Sequence, residues 1–155
     1  MQECMRANIA TRMPRTRVEN EGVDMSIKFH HIHLKARDPD ATAAWYERAL
    51  GFKVVEQFKR PTGDVFISCR TPDDTMVIIS GAKTGETLGR GDASTHLGLE
   101  HFAVASDDFD RDLAHLKSLG APVLEEPRTT PAGIRFAFIQ APDDVRMELM
   151  YFPKD

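Results

Sequence analysis

The sequence predicts an α+β domain of two tandem βαβββ modules, whose curved mixed sheet encloses a metal-binding cleft. Three observations predict it. The chain repeats itself at an offset of about 70 residues. Each copy passes from a strand-like alternation into an amphipathic helix and then into three more strand-like runs. Turn residues punctuate both copies at matching places.

The repeat is read directly from the residues. His31-Ile32-His33-Leu34 lies over His101-Phe102-Ala103-Val104, an offset of 70 (101 − 31). Ala49-Leu50-Gly51 matches Ser118-Leu119-Gly120, and Val54-Val55-Glu56 matches Val123-Leu124-Glu125, both one residue out of that register. The offset of 70 returns for Gly63-Asp64-Val65-Phe66 against Gly133-Ile134-Arg135-Phe136, and for Thr71-Pro72-Asp73-Asp74 against Ala141-Pro142-Asp143-Asp144. Matches in one order and nearly one register mark two copies of one unit.

In the first copy, residues 27–36 alternate with a period of two, as a half-buried strand does. Asp38-Pro39 supplies an N-cap and a proline for the first helical position. The helix carries Ala43, Trp45, Tyr46, Ala49 and Leu50 on its apolar face and stops at Gly51. Strands follow at about 52–59, 64–70 and 75–80, separated by Pro61-Thr62-Gly63 and Pro72-Asp73-Asp74. The second copy places strands at about 99–105, 123–126, 134–140 and 145–152, with a helix over 108–119. Module one therefore spans 26–81, a Gly-, Ser- and Thr-rich linker 82–97, and module two 98–155.

Residues 1–25 differ from the rest. Arg6, Arg12, Arg15 and Arg17 dominate a segment without apolar periodicity. It reads as a disordered tail, with Met25 the natural start; an organelle transit peptide is the alternative. A net charge of −4 exerts no general pull towards nucleic acid or anionic membrane, so the expected partners are a small-molecule substrate and a second copy of the chain. Cys4 and Cys69 are too few for a disulfide scaffold and read as free thiols of a cytoplasmic protein.

Alternate side chains of a strand share a face. His31 and His33 therefore point together into the cleft, while Ile32 and Leu34 pack under the helix. In module two His101 points in, and Phe102 and Val104 pack outward. In the last strand, Val145-Arg146-Met147-Glu148-Leu149-Met150-Tyr151-Phe152, Glu148 is the one carboxylate in a mostly apolar run. A buried carboxylate needs a partner or a metal. The repeat equivalent of Glu148 is Ile78 (148 − 70), so the site offers two imidazoles, one carboxylate and an apolar fourth corner. That set suits one divalent ion, Fe, Mn, Ni, Co or Zn, with positions left open. His33 is the best neighbouring acid or base. Arg135 reads either as an anion-binding group or as surface charge, and Tyr151 falls on the opposite face from Glu148.

These residues resemble the vicinal oxygen chelate superfamily of glyoxalases, extradiol dioxygenases, methylmalonyl-CoA epimerases, fosfomycin-modifying enzymes and bleomycin-binding proteins. The resemblance covers about 27–152 and rests on four stretches: His31-Ile32-His33-Leu34 with Asp38, Trp45-Tyr46 and Leu50-Gly51-Phe52, His101-Phe102-Ala103-Val104 with Leu119-Gly120, and Ala141 to Leu149. It implies His31, His101 and Glu148 as metal ligands, a homodimer, and catalysis in which Glu148 and His33 handle protons. It also implies a lyase or isomerase acting on a substrate that chelates through vicinal oxygens. An extradiol-type Fe(II) dioxygenase and a non-catalytic binding protein of the bleomycin-resistance kind are the alternatives. Ile78 departs from the glyoxalase pattern, which supplies a fourth ligand there.

Overall fold

The computed structural model describes residues 26–154, so the expected N-terminal tail lies outside the described residues. Module one comprises β1 (His31–Lys35), α1 (Pro39–Leu50), β2 (Lys53–Lys59), β3 (Val65–Arg70) and β4 (Met76–Ser80). Module two repeats it as β5 (Phe102–Ala105), α2 (Phe109–Ser118), β6 (Val123–Thr129), β7 (Arg135–Ala141) and β8 (Val145–Tyr151), with a 3-10 turn at Pro142–Asp144. The helix punctuation is as expected. Asp38 accepts from the Ala41 amide at the start of α1, and Gly51 ends it with φ +70°, a left-handed conformation that glycine adopts without strain. Asp108 caps α2 by accepting from the Arg111 amide.

The strands form two four-stranded mixed sheets, ordered β1-β4-β3-β2 and β5-β8-β7-β6. In each, the first strand lies parallel to the last, and the other pairings are antiparallel. The two registers are repeat equivalents: Ile32 opposes Val77, and Phe102 opposes Met147.

Three boundaries differ from the sequence reading by three residues or more, each for a pairing reason. β1 starts at His31 because its partner β4 starts opposite it at Met76, so residues 27–30 have no ladder to join. β5 likewise begins at Phe102 rather than at Leu99. β6 runs three residues past its expected end, through Pro127 to Thr129. It is an edge strand, where a missing amide donor leaves no ladder bond unmade.

Each helix covers one face of its own sheet. The first core gathers Tyr46, Phe52, Ile67, Cys69, Val77 and Ile79; the second gathers Phe109, Leu113, Leu116, Ile139, Met147 and Leu149. Trp45, Leu50 and Phe102 pack against both, so the modules join through their helix-side layers. Tyr46 is wholly buried, stacked on Phe52 at 5.2 Å, and its hydroxyl has no hydrogen-bond partner. Burial also pushes the Cys69 thiol up to about 11.

Three outcomes follow from this packing. Tyr46→Ala should cost about 3–5 kcal/mol, the usual loss for a buried aromatic, in chemical denaturation. Tyr46→Phe should be neutral or stabilising by about 1 kcal/mol, because it removes an unsatisfied buried hydroxyl; a loss above that size would mean the hydroxyl is bonded. Cys69 should resist alkylation at mildly alkaline pH in the native protein and react after unfolding, as read by peptide mass mapping.

Candidate metal centre

The second module builds its half of the site from the alternation of β8. Met147 and Leu149 point into the second core, which turns Arg146, Glu148 and Met150 to the bare face. Glu148 opposes Ala103 on β5 and Phe138 on β7. His101 stands just before β5, and its ring turns to that same face to meet Glu148. The result is a close pair: His101 Nε2 lies 3.4 Å from Glu148 Oε2, with the glutamate side chain 13% exposed. That separation is too long for a good hydrogen bond. It suits two ligand atoms each about 2.0–2.2 Å from one shared transition-metal ion. The donor pair thus fits a divalent metal.

The other side of the His101 ring is also held. Its Nδ1 contacts Glu100 Oε2, and Glu100 Oε1 lies 2.7 Å from Arg146 Nε. Arg146 is 5% exposed, pairs with Glu125, and donates to the Ala93 carbonyl at 3.1 Å. Its guanidinium sits 4.0 Å over the Phe138 ring, and His101 meets the same ring edge-on at 5.1 Å. The hydrogen bond from His101, then the charge of Arg146, keeps the Glu100 carboxyl below the usual range. Sequence reasoning passed over Glu100 and Arg146. The signal was present in Arg146, a charge in phase with Glu148 on an apolar strand and in need of buried partners.

Module one presents a neutral counterpart. His31 opposes Met76 and His33 opposes Ile78, so these four share the bare face. His31 Nδ1 lies 2.8 Å from His30 Nδ1, and the His31 and His33 rings are 6.2 Å apart. His33 Nε2 is hydrogen-bonded to the buried Ser80 hydroxyl at 2.9 Å. Burial, and then Lys35, holds the His33 pKa below its ordinary value, so the ring is neutral at physiological pH. Ile78 is buried, so the fourth corner is apolar.

One chain does not gather the expected triad. Among the described residues, no group of three or more His, Cys, Asp or Glu side chains is placed to hold a metal. A cleft of about 880 Å³ between the modules is bordered by His33 and Lys35 on one side and His101 and Arg146 on the other, but not by His31. A clamp joins the two modules at the far end of β1. The Asp143 carboxylate accepts from the Arg37 amide and the Thr42 hydroxyl, both at 3.3 Å, and Arg37 also pairs with Asp144. This clamp ties the C-terminal end of β1 to the start of β8. His31 stands six residues back from Arg37, up to about 20 Å at 3.3 Å per residue.

The remaining candidates resolve into structural parts. Arg135 forms a two-bond pair with Asp110 and lies over Phe109, so it is a surface clamp. Tyr151 packs towards the second core, and His115 bonds the Arg48 carbonyl between the helices. His96 bonds the Ser94 and Leu99 carbonyls within the linker.

Known proteins carry the same framework. A curated relative, the uncharacterized protein YwbC of Bacillus subtilis, is 24% identical over 77% of this chain and 93% of its own. The probable chloroplastic lactoylglutathione lyase of Arabidopsis thaliana is 27% identical over 77% of this chain, which spans 34% of that longer protein. The crystal structure of SMU.1112c superposes with a TM-score of 0.66 at 28% identity, covering 81% of this chain and 99% of that one. The sequence profile of one family matches residues 28–149. With both βαβββ modules in place, the chain belongs to the Glyoxalase/Bleomycin resistance protein/Dioxygenase superfamily.

Proposed function

We propose that the protein is a divalent-metal-dependent lyase or isomerase of the glyoxalase type, acting on a small substrate with two neighbouring oxygens. The observation that carries the proposal is the His101–Glu148 pair, an imidazole lone pair and a carboxylate 3.4 Å apart on a sheet face. We further propose that the third ligand, His31, comes from a second copy of the chain, because among the described residues no third ligand-type side chain joins His101 and Glu148 within one chain. A two-fold dimer would then carry two such centres.

A divalent ion held there supplies Lewis-acid polarisation of the substrate oxygens. The chain's own residues do the rest. Glu148 is the one carboxylate of the donor set, and its second oxygen is available to take a proton from a carbon beside a carbonyl. His33, bonded to Ser80, would pass a proton to or from a substrate oxygen. The apolar wall at Ile78 excludes water from that corner.

One observation favours a second reading. The buried Ile78 leaves a set of two imidazoles and one carboxylate, which also suits a non-haem Fe(II) oxygenase. Oxygen uptake on catechols by the iron-loaded protein, without turnover of α-oxo thioester adducts on a redox-inert metal, would favour it.

Titration calorimetry with Ni(II) or Zn(II) should give one site per chain, lost in His101→Ala and Glu148→Ala. Full affinity in His101→Ala would overturn the assignment. Light scattering at micromolar concentration should give a dimer mass; a monomer mass refutes it. His31→Ala and Glu148→Ala proteins, each unable to bind metal, should regain binding when refolded together, since a mixed dimer has one intact centre. Dimers that regain none would place the site within each chain.

A further inference from the structure

We propose that Glu100 is a positioning residue of the metal centre, fixing the His101 ring with Nδ1–H towards its own carboxylate and the bare Nε2 towards Glu148. Buried Arg146 anchors Glu100 in turn. The inference rests on the metal reading above, and it assigns a function to two residues outside the ligand set.

The geometry has three parts. The Glu100 carboxylate is divided between two tasks, Oε2 on His101 Nδ1 and Oε1 at 2.7 Å from Arg146 Nε. Oε1 and Nε are both buried and neither has a hydrogen bond in line, so they meet as an ion pair. Arg146 is itself immobilised by Glu125, the Ala93 carbonyl and the face of Phe138. The chain Glu148, His101, Glu100, Arg146, Glu125 is therefore one connected row on the bare face of module two.

A carboxylate accepting from Nδ1 selects the tautomer whose lone pair is on Nε2, the atom that faces Glu148. Free imidazoles favour the opposite tautomer, so this ring is held against its own preference. Carboxylates placed behind metal-bound histidines orient the ring and raise its basicity. Neighbouring residues of a regular strand point to opposite faces and cannot meet in this way. Glu100 and His101 can, because β5 does not begin until Phe102.

The repeat supplies an independent parallel. The equivalent of Glu100 is His30 (100 − 70), and His30 Nδ1 lies 2.8 Å from His31 Nδ1. In both modules the residue preceding the candidate ligand reaches its Nδ1 and leaves Nε2 free. Module one does this with an exposed imidazole and has Met76 where module two has Arg146. Only module two backs its ligand with a charge.

Nitrogen–proton correlation spectra of the histidine side chains decide the point without metal. The metal-free full-length protein is used in mildly alkaline buffer, where imidazoles are neutral. Wild-type His101 should be in the Nδ1–H form, assigned by its loss in His101→Gln. Glu100→Ala should return it to the Nε2–H form, and Glu100→Asp should keep much of the Nδ1–H form. An Nε2–H ring in the wild type overturns the proposal whether or not any variant folds. In calorimetry with Zn(II), Glu100→Ala should bind about 10–100-fold more weakly, with unchanged affinity overturning the proposal. A wild-type protein that binds no Zn(II) or Ni(II) would defeat the metal reading, while the tautomer would still report what Glu100 does.

Discussion

Parallel pairing of the first and last strand of each module is the constraint on which the rest depends. It puts β4 and β8 inside their sheets, with a neighbour on either side. One face of each must then be apolar, because a helix covers it. On β8 that demand is met by Met147 and Leu149, and it leaves Arg146 and Glu148 no choice of side. A slip of one residue in the β5–β8 register would drive both charges into the second core and expose the methionine and leucine. The register is thus guarded by hydrophobic burial on one face and by the cost of stranded charge on the other. The site and the fold are specified by the same residues.

The two modules use one plan for different electrostatic ends. On β4, module one has Met76, Ile78 and Ser80, all without charge; the first two oppose His31 and His33, and Ser80 opposes Lys35. Module two has Arg146 and Glu148 at the first two of these positions, and His101 and Glu100 link them in one row. Two neutral imidazoles and one carboxylate offset only part of a divalent charge. A centre of that composition favours an anionic oxygen in its open positions, in keeping with a chelating substrate.

The repeat, the helix caps and the strand faces were legible because they depend on local spacing. Asp38, Pro39 and Gly51 punctuate α1 where their backbone preferences require. The assignment of His101 and Glu148 to one face needed only the period of two. The starts of β1 and β5 were not legible, since His31 opens β1 only because Met76 opens β4, a contact 45 residues away (76 − 31). Glu100 was passed over for a related reason. Strand logic assigns it to the face opposite His101, and only the irregular backbone before Phe102 lets the two side chains meet. The gathering of the triad lay beyond strand logic altogether, because it depends on how two modules are fixed to one another.

That fixing is done by a turn whose twin does something else. Thr71-Pro72-Asp73-Asp74 and Ala141-Pro142-Asp143-Asp144 are repeat equivalents, and each bends into the left-handed region, at Asp74 in the first and at Asp143 and Asp144 in the second. In module one the turn is self-contained, with the Asp73 carboxylate accepting from Thr71 and Thr75. In module two Asp143 turns outward to the Arg37 amide and the Thr42 hydroxyl, and Asp144 accepts from Gln140. Left-handed backbone at two successive non-glycine residues persists only where surrounding contacts over-determine it. Here those contacts cross from one module to the other. The duplicated motif has become one strut between the modules, beside the shared packing of Trp45, Leu50 and Phe102, and the cleft next to it is bordered by His33 and not by His31. On the proposed two-chain centre, a second copy would supply the ligand that the arrangement of modules in one chain leaves out.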